Sequence, residues 1–136
     1  MKTFLNFYVL LFISLIVLSC NSQRKKYQEE NFDGFSVISP QDFFKESENQ
    51  LIVDVRTPKE YNEGRLESAI NINFFDKNFL DQFIEFKKDS PIFIYCRSGN
   101  RSGKAAKKLS KLGFKYVYDL GGGIKNWKAK EYKIVK

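Results

Sequence analysis

The 136-residue sequence contains no histidine. Histidine is the commonest general base and the commonest metal ligand, so its absence excludes a Cys–His pair and a zinc site within this chain. Cysteine is nearly absent as well. Cys20 and Cys96 are the only two, and they are too far apart for a CxxC redox pair. The length suits one domain and is short for two. No repeat or low-complexity segment appears beyond residue 33. The net charge is +7, yet no aromatic–basic platform accompanies it, so nucleic acid is not an expected partner.

What is present points first to a globular domain. Apolar residues make up 43% of the chain and 14 of them are phenylalanine, enough for a packed core. The first twenty residues stand apart. Lys2 supplies a positive start, residues 7–18 are apolar except for Ser14, and Val17-Leu18-Ser19-Cys20 places small residues and a cysteine at a cleavage point. The apolar run is short for a membrane span. This stretch resembles a bacterial lipoprotein signal, with Leu18 bulkier than the usual residue two before the cysteine. The resemblance implies removal of residues 1–19 and acylation of Cys20. The protein is then expected in the cell envelope, lipid-anchored to a membrane and exposed outside the cytoplasm, in the periplasm. Residues 20–33 are polar and aperiodic, a tether whose Arg24-Lys25-Lys26 cluster suits anionic headgroups. A domain is expected over 34–136.

Within 34–136, short apolar runs alternate with helical patterns. Strands are expected at 34–38, 51–55, 69–72, 91–95 and 116–118. Helices are expected at 40–47, 58–62, 76–87, 102–112 and 124–128, with the tail 131–136 covering an edge. Ser39-Pro40 reads as a cap followed by proline at the first helical position, and Gly64 and Gly113 as stops. This alternation predicts an α/β domain with a central, mostly parallel sheet, whose sites lie at the carboxyl ends of strands.

The chemistry is concentrated in Ile92-Phe93-Ile94-Tyr95-Cys96-Arg97-Ser98-Gly99-Asn100-Arg101-Ser102. An apolar strand ends in a cysteine, followed by a short loop and a helix. Such a loop at a helix N-terminus activates a thiolate and holds anions. Backbone N–H groups of residues 97–102 can converge on the Cys96 sulfur, with the helix dipole and two guanidinium groups adding positive potential. Cys96 is therefore the expected nucleophile and the only free thiol once Cys20 is acylated. Arg97 and Arg101 are expected anion contacts. Ser98 and Ser102 offer hydroxyl donors, and Ser102 fits a helix cap equally well. Gly99 supplies a backbone conformation closed to other residues, and Asn100 completes the loop. Asp54 and Arg56 sit at another strand end, either beside the pocket or in a scaffold network in which Arg56 pairs with Glu60. Trp127 reads first as packing, with a supporting place at the mouth of the pocket as the alternative.

From about Phe35 to the C-terminus the chain resembles the single-domain rhodanese (thiosulfate sulfurtransferase-like) family. Asp54-Val55-Arg56 with Glu60-Tyr61, Gly64 and Ala69-Ile70-Asn71-Ile72 carries one part of the match. The segment from Tyr95 to Ser102 carries the second, and Leu120-Gly121-Gly122-Gly123-Ile124 with Trp127 the third. The resemblance implies a three-layer fold with helices on both faces of the sheet. It also implies a sulfurtransferase that works through a Cys96 persulfide and needs no cofactor. Sulfur would pass from a small anionic donor such as thiosulfate to a thiol or protein acceptor, or to cyanide in an assay. The chain departs from the family at Arg65, Leu66, Glu67 and Ser68, where a histidine and a proline–glycine pair are usual, which bears on substrate preference. Two other readings remain open: a persulfide carrier or binding module without turnover, and phosphatase or arsenate reductase chemistry. The latter uses five residues between the cysteine and an arginine, where this chain has four, residues 97–100.

Overall fold

The computed structural model describes residues 34–136. The expectations for residues 1–33, including the signal, Cys20 and the tether, lie outside the described residues. In chain order the elements are β1 (Phe35–Ile38), α1 (Pro40–Glu46), β2 (Leu51–Asp54), α2 (Pro58–Glu63), β3 (Ile70–Asn71), a 3₁₀ turn (Asp81–Phe83), β4 (Ile92–Tyr95), α3 (Asn100–Lys111), β5 (Val117–Leu120) and α4 (Gly123–Ala129). The five strands form one all-parallel sheet in the order β1-β5-β4-β2-β3. This is the α/β architecture expected.

Side-chain alternation along the strands builds a core on each face. Ile92, Ile94 and Cys96 of the β4 run point to one core, shared with Val53, Val55, Val117 and with Ala105, Ala106 and Leu109 of α3. Phe93 and Tyr95 point to the other, shared with Phe43 of α1 and with Ile124 and Trp127 of α4. The period-2 pattern thus delivers Cys96 directly beneath α3. Both faces of β4 are covered, which is why its four residues are all buried.

Local sequence sets the helix starts. The Ser39 hydroxyl accepts from Asp42 N–H at 3.1 Å and Pro40 follows it. Thr57 and Glu60 form a capping box, with Thr57 Oγ1 accepting from Glu60 N–H and Glu60 Oε2 accepting from Thr57 N–H. The C-terminal tail meets the loop after α2 through an antiparallel bridge between Arg65 and Val135, with both hydrogen bonds at 2.8 Å.

One expected helix is absent. Residues 76–87 form successive turns around the single 3₁₀ turn, closed by bonds such as Phe83 N–H to Leu80 O and Phe86 N–H to Phe83 O. Two causes oppose a helix here. Asn73 ties down the start, accepting from Phe75 N–H and donating to Asp76, a local bonding that competes with helical pairing. Leu80, Phe83 and Phe86 then repeat every three residues, matching the 3₁₀ period. Phe79, Phe83, Phe86 and Phe114 lock this arrangement in edge-to-face contacts at 5.2–6.2 Å. Phe83 is fully buried and is the pivot of the cluster. Phe83→Ala should cost about 3–5 kcal/mol, read as a lower urea midpoint with an unchanged denaturant slope.

Candidate active site at the Cys96 loop

The loop between β4 and α3 is polarised. Gly99, which precedes α3, has φ of 98°, a region that favours glycine. No side chain caps α3, so the N–H groups of its first turn lack an intrahelical partner. The Ser102 N–H and the amides of the preceding loop turn to sulfur. Gly99 N–H donates to Cys96 Sγ at 3.1 Å and the Ser102 hydroxyl donates to it at 3.3 Å. The N–H groups of Ser98 and Ser102 reach it as well. Ser102 is therefore not the cap considered from sequence. It lies inside α3, which begins at Asn100, and its side chain is buried against the sulfur.

The loop carbonyls point the opposite way, toward α4. Ile124 N–H donates to Cys96 O at 2.9 Å and Lys125 N–H donates to Arg97 O at 3.1 Å. The approach is so close that a Cβ on Gly123, whose φ is +60°, would lie 2.5 Å from Cys96 O. The glycine run before α4 thus serves the cysteine loop.

Burial pushes the Cys96 thiol up, and hydrogen bonds from the Ser102 hydroxyl and the N–H groups of Ser102, Ser98 and Gly99 more than reverse this. The net shift is downward from the ordinary value of 9.0, toward the nucleophilic thiolate. Cys96 is a free thiol and only 1% exposed.

The arginines are arranged differently from expectation. Arg101 is turned to Glu60, with both guanidinium–carboxylate bonds at 2.7 Å, and is not a free anion contact. Arg56 pairs with the buried Asp54 instead of Glu60, its Nη2 at 2.6 Å from Oδ2, and donates to Gly64 O. A buried charge requires such pairing, and Asn71 holds the same turn by donating to the carbonyls of Asp54 and Arg56. Arg97 is exposed and, with Arg56, Lys125 and Lys128, lines a cleft of about 440 Å³ whose acids are Glu60 and Glu63. Ser98 and Asn100 are exposed. Trp127 is packing: it lies against Phe43 and Tyr132 and donates its indole N–H to Lys133 O at 3.0 Å.

Four residues, Glu60, Lys125, Lys128 and Asp119, take roles that the sequence reading did not assign to them. Glu60 in its tie to Arg101 has a legible half, the capping box from Thr57, while its partner lies 41 residues away. Lys125 and Lys128 lie three residues apart on α4 and both line the cleft. Asp119, just past the expected last strand, is buried behind Ser102.

An α/β sheet with a donor-lined thiol at the carboxyl end of its central strand defines a class of cysteine-centred domains that hold one anionic atom in a tight loop. The family model described as the Rhodanese-like domain matches residues 39–130, and the chain belongs to that family. It is 37% identical over 82 residues to a sulfurtransferase of Allochromatium vinosum, covering 60% of this chain and 75% of that protein. It is 37% identical over 79 residues to the uncharacterized protein YqhL of Bacillus subtilis, covering 58% of this chain and 61% of that one. The chain therefore spans less than two thirds of the Bacillus relative. A rhodanese-related protein of Thermoplasma volcanium has a crystal structure that superposes with a TM-score of 0.66 at 29% identity, covering 73% of this chain and 96% of that one.

The Arg101 bond, the largest influence on Glu60, holds its carboxyl down at about 2 against an ordinary 4.5. A depressed carboxylate adds stability that is complete above its unfolded value and is lost as pH falls through the folded one. Acid unfolding of the wild type should therefore steepen between about 4.5 and 2, and Glu60→Gln should flatten that limb, measured by circular dichroism against pH.

Proposed function

We propose that this chain is a sulfurtransferase in which Cys96 accepts a sulfane sulfur and passes it to a thiol. The Cys96 thiolate attacks the outer sulfur of an anionic donor such as thiosulfate. The S–S bond to the leaving sulfite breaks, its electron pair departs with sulfite, and Cys96 carries a persulfide. An acceptor thiolate then takes the outer sulfur and returns the Cys96 thiolate. Neither step needs a proton carrier when the sulfurs are ionised, which suits a chain without histidine.

The observation that carries this reading is the convergence of Gly99 N–H and the Ser102 hydroxyl on a buried sulfur. These donors favour a single soft anion, and the cationic side of the cleft favours an anionic donor or an acceptor bearing carboxylates. Phosphoryl chemistry fits less well, because only four residues separate Cys96 from Arg101 and Glu60 already occupies that guanidinium. The lipid anchor at Cys20 belongs to the same proposal, and labelled fatty acid should enter the wild type but not Cys20→Ala.

Intact mass after exposure to thiosulfate should show one added sulfur in the wild type and none in Cys96→Ala. Losing one hydrogen bond to a charged group costs about 1.5–3 kcal/mol, so Ser102→Ala should slow sulfur uptake roughly ten- to a hundredfold. Ready hydrolysis of aryl phosphates without sulfur uptake would replace the reading with phosphatase chemistry. A persulfide that forms but leaves only to one protein acceptor would make the chain a carrier.

A further inference from the structure

Asp119 lies on β5, where its register partners are Ile94 of β4 and Val37 of β1. Its neighbours Tyr118 and Leu120 belong to the core under α1 and α4, so Asp119 itself faces α3. It is 2% exposed, and its Oδ1 has no hydrogen-bond partner. A buried carboxyl oxygen without a partner is costly and calls for an explanation. The carboxyl lies against the start of α3, where a Cβ on Gly103 would be 3.6 Å from Oδ2. The side chain that acts on it by hydrogen bonding is Ser102, joined by the N–H of Leu120. Ser102 is also the hydroxyl donor to Cys96 Sγ.

A serine hydroxyl has one proton to give. Two acids, Cys96 and Asp119, therefore stand on either side of a single donor inside the core. When Asp119 is protonated it can donate to Ser102 Oγ, and Ser102 then gives its proton to the sulfur. When Asp119 is ionised the two anions compete for that proton.

The geometry points to Asp119 as a positioning residue that governs, through Ser102, how well the loop holds a charged sulfur on Cys96. This rests on the sulfurtransferase reading only in taking the sulfur as the working atom. The setting supplies no compensating cation. Among the described residues no ion pair reaches Asp119. The charges on the facing helix are Arg101, engaged by Glu60, and the exposed Lys104, Lys107, Lys108 and Lys111. β1 carries no charged residue, β4 offers only Tyr95 on its opposite face, and the charged residues of α1 and α4 belong to that opposite side. Burial raises the Asp119 carboxyl, with Ser102 and the Leu120 N–H pulling it back, and it stands at about 7. The switch between donor and competitor thus falls near neutral pH.

Two interacting acids titrate as a pair with macroscopic steps. The rate of iodoacetamide alkylation of Cys96 against pH should therefore follow a stretched, two-step curve in the wild type. In Asp119→Asn, which keeps the shape and a donor but cannot ionise, the curve should become a single step displaced to lower pH. Above about pH 7, where the wild-type Asp119 is ionised, alkylation should then be faster in the variant by about fivefold, the low end of typical site-to-site coupling, with little difference at about pH 5. Superimposable curves would overturn the inference. Coupling is reciprocal, so a second measurement needs no change at Asp119. With carbon-13 aspartate, the Asp119 carboxyl titration should move to lower pH in Cys96→Ala, where Ser102 has one acceptor left. Equal midpoints in the wild type and Cys96→Ala would also overturn it. Neither experiment uses a sulfur donor, so failure of sulfur transfer and failure of this coupling are read separately.

Discussion

The first turn of α3 has no side-chain cap, and its spare N–H groups need an acceptor. The Cys96 sulfur is the acceptor for Ser102 and for the Ser98 and Gly99 amides just before the helix, and much of the local architecture follows from it. The β4 strand must end with its period-2 face aimed at α3, which places Cys96 in the same core as Ile92 and Ile94. The loop must turn its amides inward, which demands the left-handed backbone at Gly99. Its carbonyls are then forced outward, and α4 takes them with Ile124 and Lys125 N–H groups. A sulfur, the start of α3 and the start of α4 are parts of one hydrogen-bond circuit.

Positive charge around this circuit is distributed by burial. The most buried arginine, Arg56, is neutralised by Asp54, as a low-dielectric setting requires. The half-buried Arg101 is held by Glu60, whose second role is to cap α2. Arg97, exposed at the loop, keeps its charge for the cleft together with Lys125 and Lys128. The loop itself stabilises the sulfur mainly through short-range donors, which makes its effect less sensitive to salt than a surface charge would be.

The strands, the parallel sheet and the place of the cysteine were legible because apolar alternation and the Gly99 position are local signals. The segment 76–87 was misread as a helix because its apolar spacing was scored against a 3.6-residue period, while Leu80, Phe83 and Phe86 follow a three-residue one. In the scaffold reading Arg56 was expected to meet Glu60, four residues on, although Asp54 is only two residues away. The contact that won, Glu60 with Arg101, is set by how α2 and α3 pack. Asp119 was passed over for a related reason: an acid at a strand end reads as surface, and only the pairing of β5 between β1 and β4 shows that it is enclosed.

Because the sulfur caps a helix, its ionisation is also a term in folding. A fold that holds a thiolate more favourably than the unfolded chain does is itself held by that thiolate. With the folded thiol shifted below its ordinary 9.0, this contribution is complete above that value and is withdrawn as pH falls through the folded one. Reactivity and conformational stability at Cys96 therefore share a single free energy, and any modification that leaves the sulfur neutral draws on both.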